Sequence, residues 1–176
     1  MKSGFTETFQ AIDDGFSYSI RPIQKDDGQK IIRLFEHLSP ENRYLRFAHA
    51  ISKLPDAFLE DILELDYQQE MALVACINES TDHEEIIGIS RYVSDDSGKR
   101  CEFSISVSDQ YSAHGVGMNL MNHLITYAQK QDLIQMIGYI LSNNTKMLHM
   151  VRELGFEIDT PNDDHDFKIA TLQLQK

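Results

Sequence analysis

The sequence predicts a mixed α/β fold, a single domain with a central mixed β-sheet of about six to seven strands flanked by helices, on three observations. Apolar or alternating runs of strand length recur along the chain, at Tyr18–Pro22, Met71–Ile77, Ile86–Val93, Cys101–Val107, Leu133–Leu141 and Phe167–Leu174. Stretches with apolar residues at helical spacing are interleaved with them. With 176 residues, 41% of them hydrophobic, the chain can bury one good core and is too short for two ordinary domains. Residues 18–176 are read as that domain and residues 1–17 as an N-terminal extension.

Tyr18–Pro22 is the first strand. Ile31, Ile32, Leu34, Phe35 and Leu38 then repeat at helical spacing up to the stop at Ser39-Pro40. A second helix begins there, because Ser39 can cap it and Pro40 suits its first position, with Tyr44, Leu45 and Phe47 as apolar contacts. Ala57–Leu65 reads as one more short helix. Met71–Ile77 and Ile86–Val93 form a hairpin of core strands joined through the acidic stretch Glu79–Glu85. From Cys101 the pattern alternates: Cys101, Phe103, Ile105 and Val107 face one way, Glu102, Ser104 and Ser106 the other, so Glu102 points away from the apolar side. Met121, Leu124, Ile125 and Ala128 then mark an amphipathic helix running to about Lys130. Leu133–Leu141 is the next strand and Asn144–Leu154 the next helix, with Gly155 as its stop and Phe156 starting a further strand. Phe167–Leu174 closes the sheet.

Sixteen basic against 28 acidic side chains leave a net charge of -12, which argues against nucleic acid or an anionic membrane as partner and favours a cationic one, besides serving solubility. Met1–Gln10 has neither the basic start nor the apolar stretch of a secretory leader, and no run is apolar enough to span a bilayer, so a cytoplasmic protein is expected. Cys76 and Cys101 lie in strand-like runs and read as buried thiols. Asp163, Asp164, His165 and Asp166 follow Pro161-Asn162 and read as a hairpin turn in preference to a metal site.

The segment that points to chemistry is Ser112-Ala113-His114-Gly115-Val116-Gly117, placed between a strand and a helix. Such a junction aims unpaired main-chain N–H groups at one point, and the helix dipole favours an anion there. Gly115 and Gly117 lack the Cβ that would keep a ligand away from the backbone. No Gly-Lys-Ser or Gly-Lys-Thr follows, which excludes a nucleoside triphosphate loop, and the dinucleotide fingerprint lacks its third glycine and its acidic residue.

From Glu102 through Gly117 to Asn144 and Gly155-Phe156 the chain resembles the GCN5-related N-acetyltransferases, which move acetyl from acetyl-CoA to an amine. Over nearly its whole length it is similar to the acetyltransferase domain of bacterial Pat-type protein lysine acetyltransferases. Ile20-Arg21-Pro22-Ile23, the run Leu38 to Phe47, Asp66-Tyr67 and Ala72-Leu73-Val74-Ala75 carry that closer resemblance.

The resemblance implies that the main chain of Ser112, Ala113, His114, Gly115, Val116, Gly117 and Met118 holds the CoA pyrophosphate, with Ser112 standing where Gln or Arg is usual. It implies that Ile105 and Val107 hydrogen-bond the pantetheine arm and polarise the thioester, and that Glu102 is the general base. Asn144 matches an asparagine that contacts the cofactor, and Asn143 is left to cap the helix. The tyrosine that many relatives use as general acid is replaced by Val151, and His114 reads as solvent-exposed. The acceptor implied is a protein lysine or a small cationic amine such as a polyamine or amino sugar. A non-catalytic CoA-binding regulatory module is the rival class, and pairing into a homodimer is left open.

Overall fold

The computed structural model describes residues 6–12, 15–47 and 52–175. Among these the elements are β1 (Glu7–Gln10), β2 (Ser17–Pro22), α1 (Gly28–Glu36), α2 (Pro40–Phe47), α3 (Asp56–Leu63), β3 (Glu70–Ile77), β4 (Glu85–Ser94), β5 (Arg100–Val107), α4 (Val116–Lys130), β6 (Gln135–Leu141), α5 (Thr145–Glu153), β7 (Glu157–Asp159) and β8 (Phe167–Gln173). The strands form one 8-stranded sheet in the order β1-β2-β3-β4-β5-β6-β8-β7. Every neighbouring pair is antiparallel except β5 and β6. The mixed α/β fold is as expected, with slightly more strands than six to seven. β1 lies inside the stretch read as an extension and pairs with β2, Glu7 opposite Ile20. Its polar run Glu-Thr-Phe-Gln hides an edge strand, because only Phe9 reaches inward, stacking on Tyr18 with ring centroids 5.5 Å apart.

α4 covers one face of the sheet. Its Val116, Leu120, Met121, Leu124 and Ala128 are buried in one cluster with Leu73, Ala75, Ile87, Phe103 and Met136. Burying each large apolar side chain contributes roughly 1.5–3 kcal/mol, which fixes the start of α4 against the strands. On the other face α1 and α3 bury Ile31, Leu34, Phe35 and Ile62 against Ala72, Val74, Cys76 and Ile86. Ser39 caps α2 as expected, its Oγ accepting from the Asn42 amide at 3.1 Å. Arg21 ties β2 to this layer, donating to Asp27 and to Glu84, each at 2.8 Å, while Lys30 reaches Glu84 at 2.7 Å. Cys76 and Cys101 are buried, and burial pushes both thiols up to about 12, so neither is a thiolate at neutral pH. No helix of the described residues is long and apolar enough to cross a membrane.

Candidate active site

The site is built on a seam that opens. β5 and β6 are paired only from Arg100 opposite Gln135 to Glu102 opposite Ile137, and from there β5 runs on to Val107 and β6 to Leu141 unpaired with each other. Hydrogen-bond alternation gives the direction of the free groups. The Lys99 carbonyl accepts from Ile134 at 2.7 Å on the β6 side, whereas the Arg100 carbonyl accepts from Asp95, and the Ser108 amide donates to Ile87, each at 2.8 Å on the β4 side. Phe103, Ile105 and Val107 therefore turn their N–H and C=O groups into the open seam, an unfilled strand edge. On β6 Gly138 keeps the seam's inner wall clear, since a Cβ there would collide with the Phe103 ring.

At the mouth of the seam stands the Ser112–Gly117 turn. Ala113 and Gly115 take positive φ, 67° and 82°, which reverses the chain out of β5 and into α4. Gly115 is the N-cap without a side-chain partner, and the Asn119 amide makes a helical bond to the Gly115 carbonyl at 3.0 Å. The amides of Val116, Gly117 and Met118 lie ahead of that bond and project from the positive end of a 15-residue helix. Turn and seam meet at Gly117, where an added Cβ would lie 3.6 Å from Val107 Cγ2 and 3.7 Å from Ile105 Cδ1. Amides projecting from a helix N-terminus and an unfilled strand edge are thus adjacent, an arrangement that suits a ligand with phosphates at one end and an amide-bearing arm at the other.

Around the turn, Ser112 Oγ donates to the Asp109 carbonyl at 3.0 Å and accepts from Lys146 Nζ at 3.4 Å. Lys146, which the sequence reading missed, brings a cation to the mouth from the first turn of α5. His114 is half-buried and not solvent-exposed as expected: Nδ1 donates to the Ile12 carbonyl at 3.2 Å and the ring packs edge-on to Phe16. The helix cap is corrected too. Asn144, and not Asn143, caps α5, its Oδ1 accepting from the Met147 amide at 3.3 Å. Its side-chain NH₂ keeps its donors for another partner.

Glu102 sits at the vertex, the last residue of β5 opposite β6, exposed on the face away from α4. Beside it Ser104 pairs with Arg91 of β4, and Arg46 of α2 completes the surroundings. The Arg46 guanidinium lies 4.9 Å from the Phe47 ring centroid and 5.6 Å from that of Phe58. Loss of hydration and the neighbouring Arg91 pull its pKa down to about 10, against the opposing effect of Glu102. Arg46 and Arg91 were also missed, since residues on a helix and a distant strand show no spacing signal. Val151 is fully buried in the core and offers no proton. No group of three or more His, Cys, Asp or Glu able to hold a metal is found among the described residues.

Residues 31–156 match the family model described as Acetyltransferase (GNAT) family, and the chain belongs to this family. Membership makes it an acetyltransferase of the GNAT type with acetyl-CoA as cosubstrate. Among its relatives is a Pseudomonas aeruginosa protein called Acetyltransferase PA5475, 33% identical over 165 residues, 94% of this chain and 88% of that one. The fold is that of the GNAT domain of S. lividans PAT, with a TM-score of 0.84 and 20% identity over 96% of both chains. It also resembles yncA, a putative acetyltransferase from Salmonella typhimurium solved with its cofactor acetyl-CoA, at TM-score 0.71 and 21% identity over 90% of this chain and 95% of that one.

Proposed function

We propose that the chain acetylates a primary amine by direct attack on the thioester, with Glu102 as general base. The observation that carries this reading is the position of Glu102 at the vertex where β5 and β6 part, one end of a seam whose other end is the amide-lined turn. The amides from Ala113 to Met118 take the pyrophosphate, whereas the expected Ser112 amide is withdrawn from it because it donates to the Asp109 carbonyl at 3.3 Å. The main chain of Ile105 and Val107 takes the pantetheine arm and stabilises negative charge developing on the acyl oxygen. Asn144 contributes its free NH₂ donors near the end of β6.

An alkylamine with a pKa near about 10.4 is mostly protonated at neutral pH, a deficit of roughly 4–5 kcal/mol. Glu102, exposed on the face away from α4 where the amine is taken to approach, receives that proton directly or through one water. The neutral amine nitrogen then attacks the thioester carbon. As the tetrahedral species collapses, the C–S bond breaks and the nitrogen's surplus proton passes to water or to the departing thiolate, which needs no tyrosine because a thiol pKa near about 8.5 makes it a tolerable leaving group.

Both acceptor classes, protein lysine and small amine, fit this chemistry in a cytoplasmic setting. The buried Val151 in place of a proton donor supports a second reading, a module that binds CoA without turnover. Release of free CoA thiol across a panel of amines and proteins separates them. The enzyme reading expects turnover with at least one acceptor and its loss in Glu102→Gln with acetyl-CoA binding retained. Equal turnover in both proteins removes Glu102 from the mechanism, and binding without any turnover establishes the module.

A further inference from the structure

On the acceptor face, between α1, α2 and α3 and strands β4 and β5, lies a cavity of ≈ 30 Å³. Its apolar wall is Leu34, Phe35, Phe47, Phe58 and Ile62, and its polar wall is Arg46, Arg91, Ser104 and Ser106. That volume holds about two waters or one carboxylate group.

The arginines are not fully used by the protein. Arg91 gives one terminal nitrogen to Glu70, and its Nε is a buried donor with no acceptor among the described residues. A buried unpartnered donor is costly unless a ligand or water completes it. Arg46 stacks on Phe47 and Phe58 and makes no ion pair with a carboxylate among the described residues. Two guanidiniums and two hydroxyls therefore converge on a small cavity, an arrangement suited to a planar, charge-delocalised anion. Arg91 stands opposite Ser104, which is two residues from Glu102 on the same strand face, roughly 7 Å along β5.

We propose that the acceptor is an amine bearing a carboxylate, an amino-acid-like molecule or chain terminus, whose carboxylate is seated between Arg46 and Arg91 while its amine reaches Glu102. This deepens the proposed acetyl transfer and rests on it. The overall acidic charge attracts the amine from a distance, and the arginine pair selects among amines at the site. A polyamine would bring a second cation toward two guanidiniums and is disfavoured.

The test compares amino acids with their carboxamides and their decarboxylated amines as acceptors. The expected kcat/KM is at least ~30-fold higher with the carboxylate, and Arg46→Gln brings that ratio to within ~3-fold, with Arg46→Lys recovering part of it. Equal rates for the three acceptor forms, a preference for phosphorylated amines, or an unchanged ratio in Arg46→Gln overturns the proposal while leaving acetyl transfer intact. Product binding answers independently of turnover: N-acetyl amino acids should bind the wild-type protein at least ~10-fold tighter than their amides by calorimetry, and Arg46→Gln should abolish the difference. No such difference in the wild type overturns the carboxylate site even if the chain proves to have no transferase activity.

Discussion

On the α4 side of the sheet, Leu120, Met121 and Leu124 are fully buried against Leu73, Ala75 and Ile87; on the opposite side, β4 and β5 present Arg91 and Ser104 beneath α2 and α3, with Glu102 exposed further along β5. The same strands build both, because alternate residues of β5 face opposite ways. Phe103 and Ile105 pack the core while Glu102 and Ser104 face the opposite side, where the reaction is proposed to occur, and the main chain between them is free at the open seam. On the proposed mechanism, stability and chemistry draw on different side chains of one strand, so substitutions on the two faces should separate in their effects.

Glu102→Gln is the largest expected effect. Acetylation should fall by about 10²–10⁴ in kcat, with unfolding free energy moving by no more than about 0.5 kcal/mol in denaturant titrations. A matched loss of stability would break the separation of faces. Leu120→Ala should do the reverse, costing about 2–5 kcal/mol in the same titrations through the cavity it leaves. Turnover per folded molecule should hold within a few-fold.

The ion-pair network sharpens the comparison on the α1 side. Partial burial works to raise the Glu84 carboxyl, but Lys30, the Ser80 amide and Arg21 outweigh it and hold it at about 2, against an ordinary 4.5. A depressed carboxyl stabilises the fold above its unfolded pKa and loses that contribution as pH falls through the folded one. Glu84→Gln should therefore cost about 1–3 kcal/mol at neutral pH. The gap from wild type should close as pH drops from about 4.5 toward 2 in pH-dependent unfolding. The smallest effect is Gly115→Ala, where φ is 82°: about 1 kcal/mol of stability and a several-fold weaker hold on acetyl-CoA, both readable in one thermal-shift series with ligand.

Local pattern made much of this visible in advance. The alternation at Cys101–Val107 placed Glu102 on the polar face, and the glycines of the Ser112–Gly117 turn marked the helix start, because both are encoded by neighbouring residues. β1 escaped because an edge strand with one apolar residue carries no period. The splay of β5 from β6 escaped because it is a property of long-range pairing, and the Arg46–Arg91 convergence because it joins α2 to β4. The exchange of Asn143 for Asn144 as cap is a one-residue boundary shift.

Hydrogen exchange of the main-chain amides, with and without acetyl-CoA, tests the open seam and its turn most directly. Protection should appear on ligand addition at Ile105 and Val107 and at Val116 to Met118, and not along the β2–β3 pairing. Absence of protection at both places with ligand at millimolar concentration, or protection confined to other strands, would contradict the site described above.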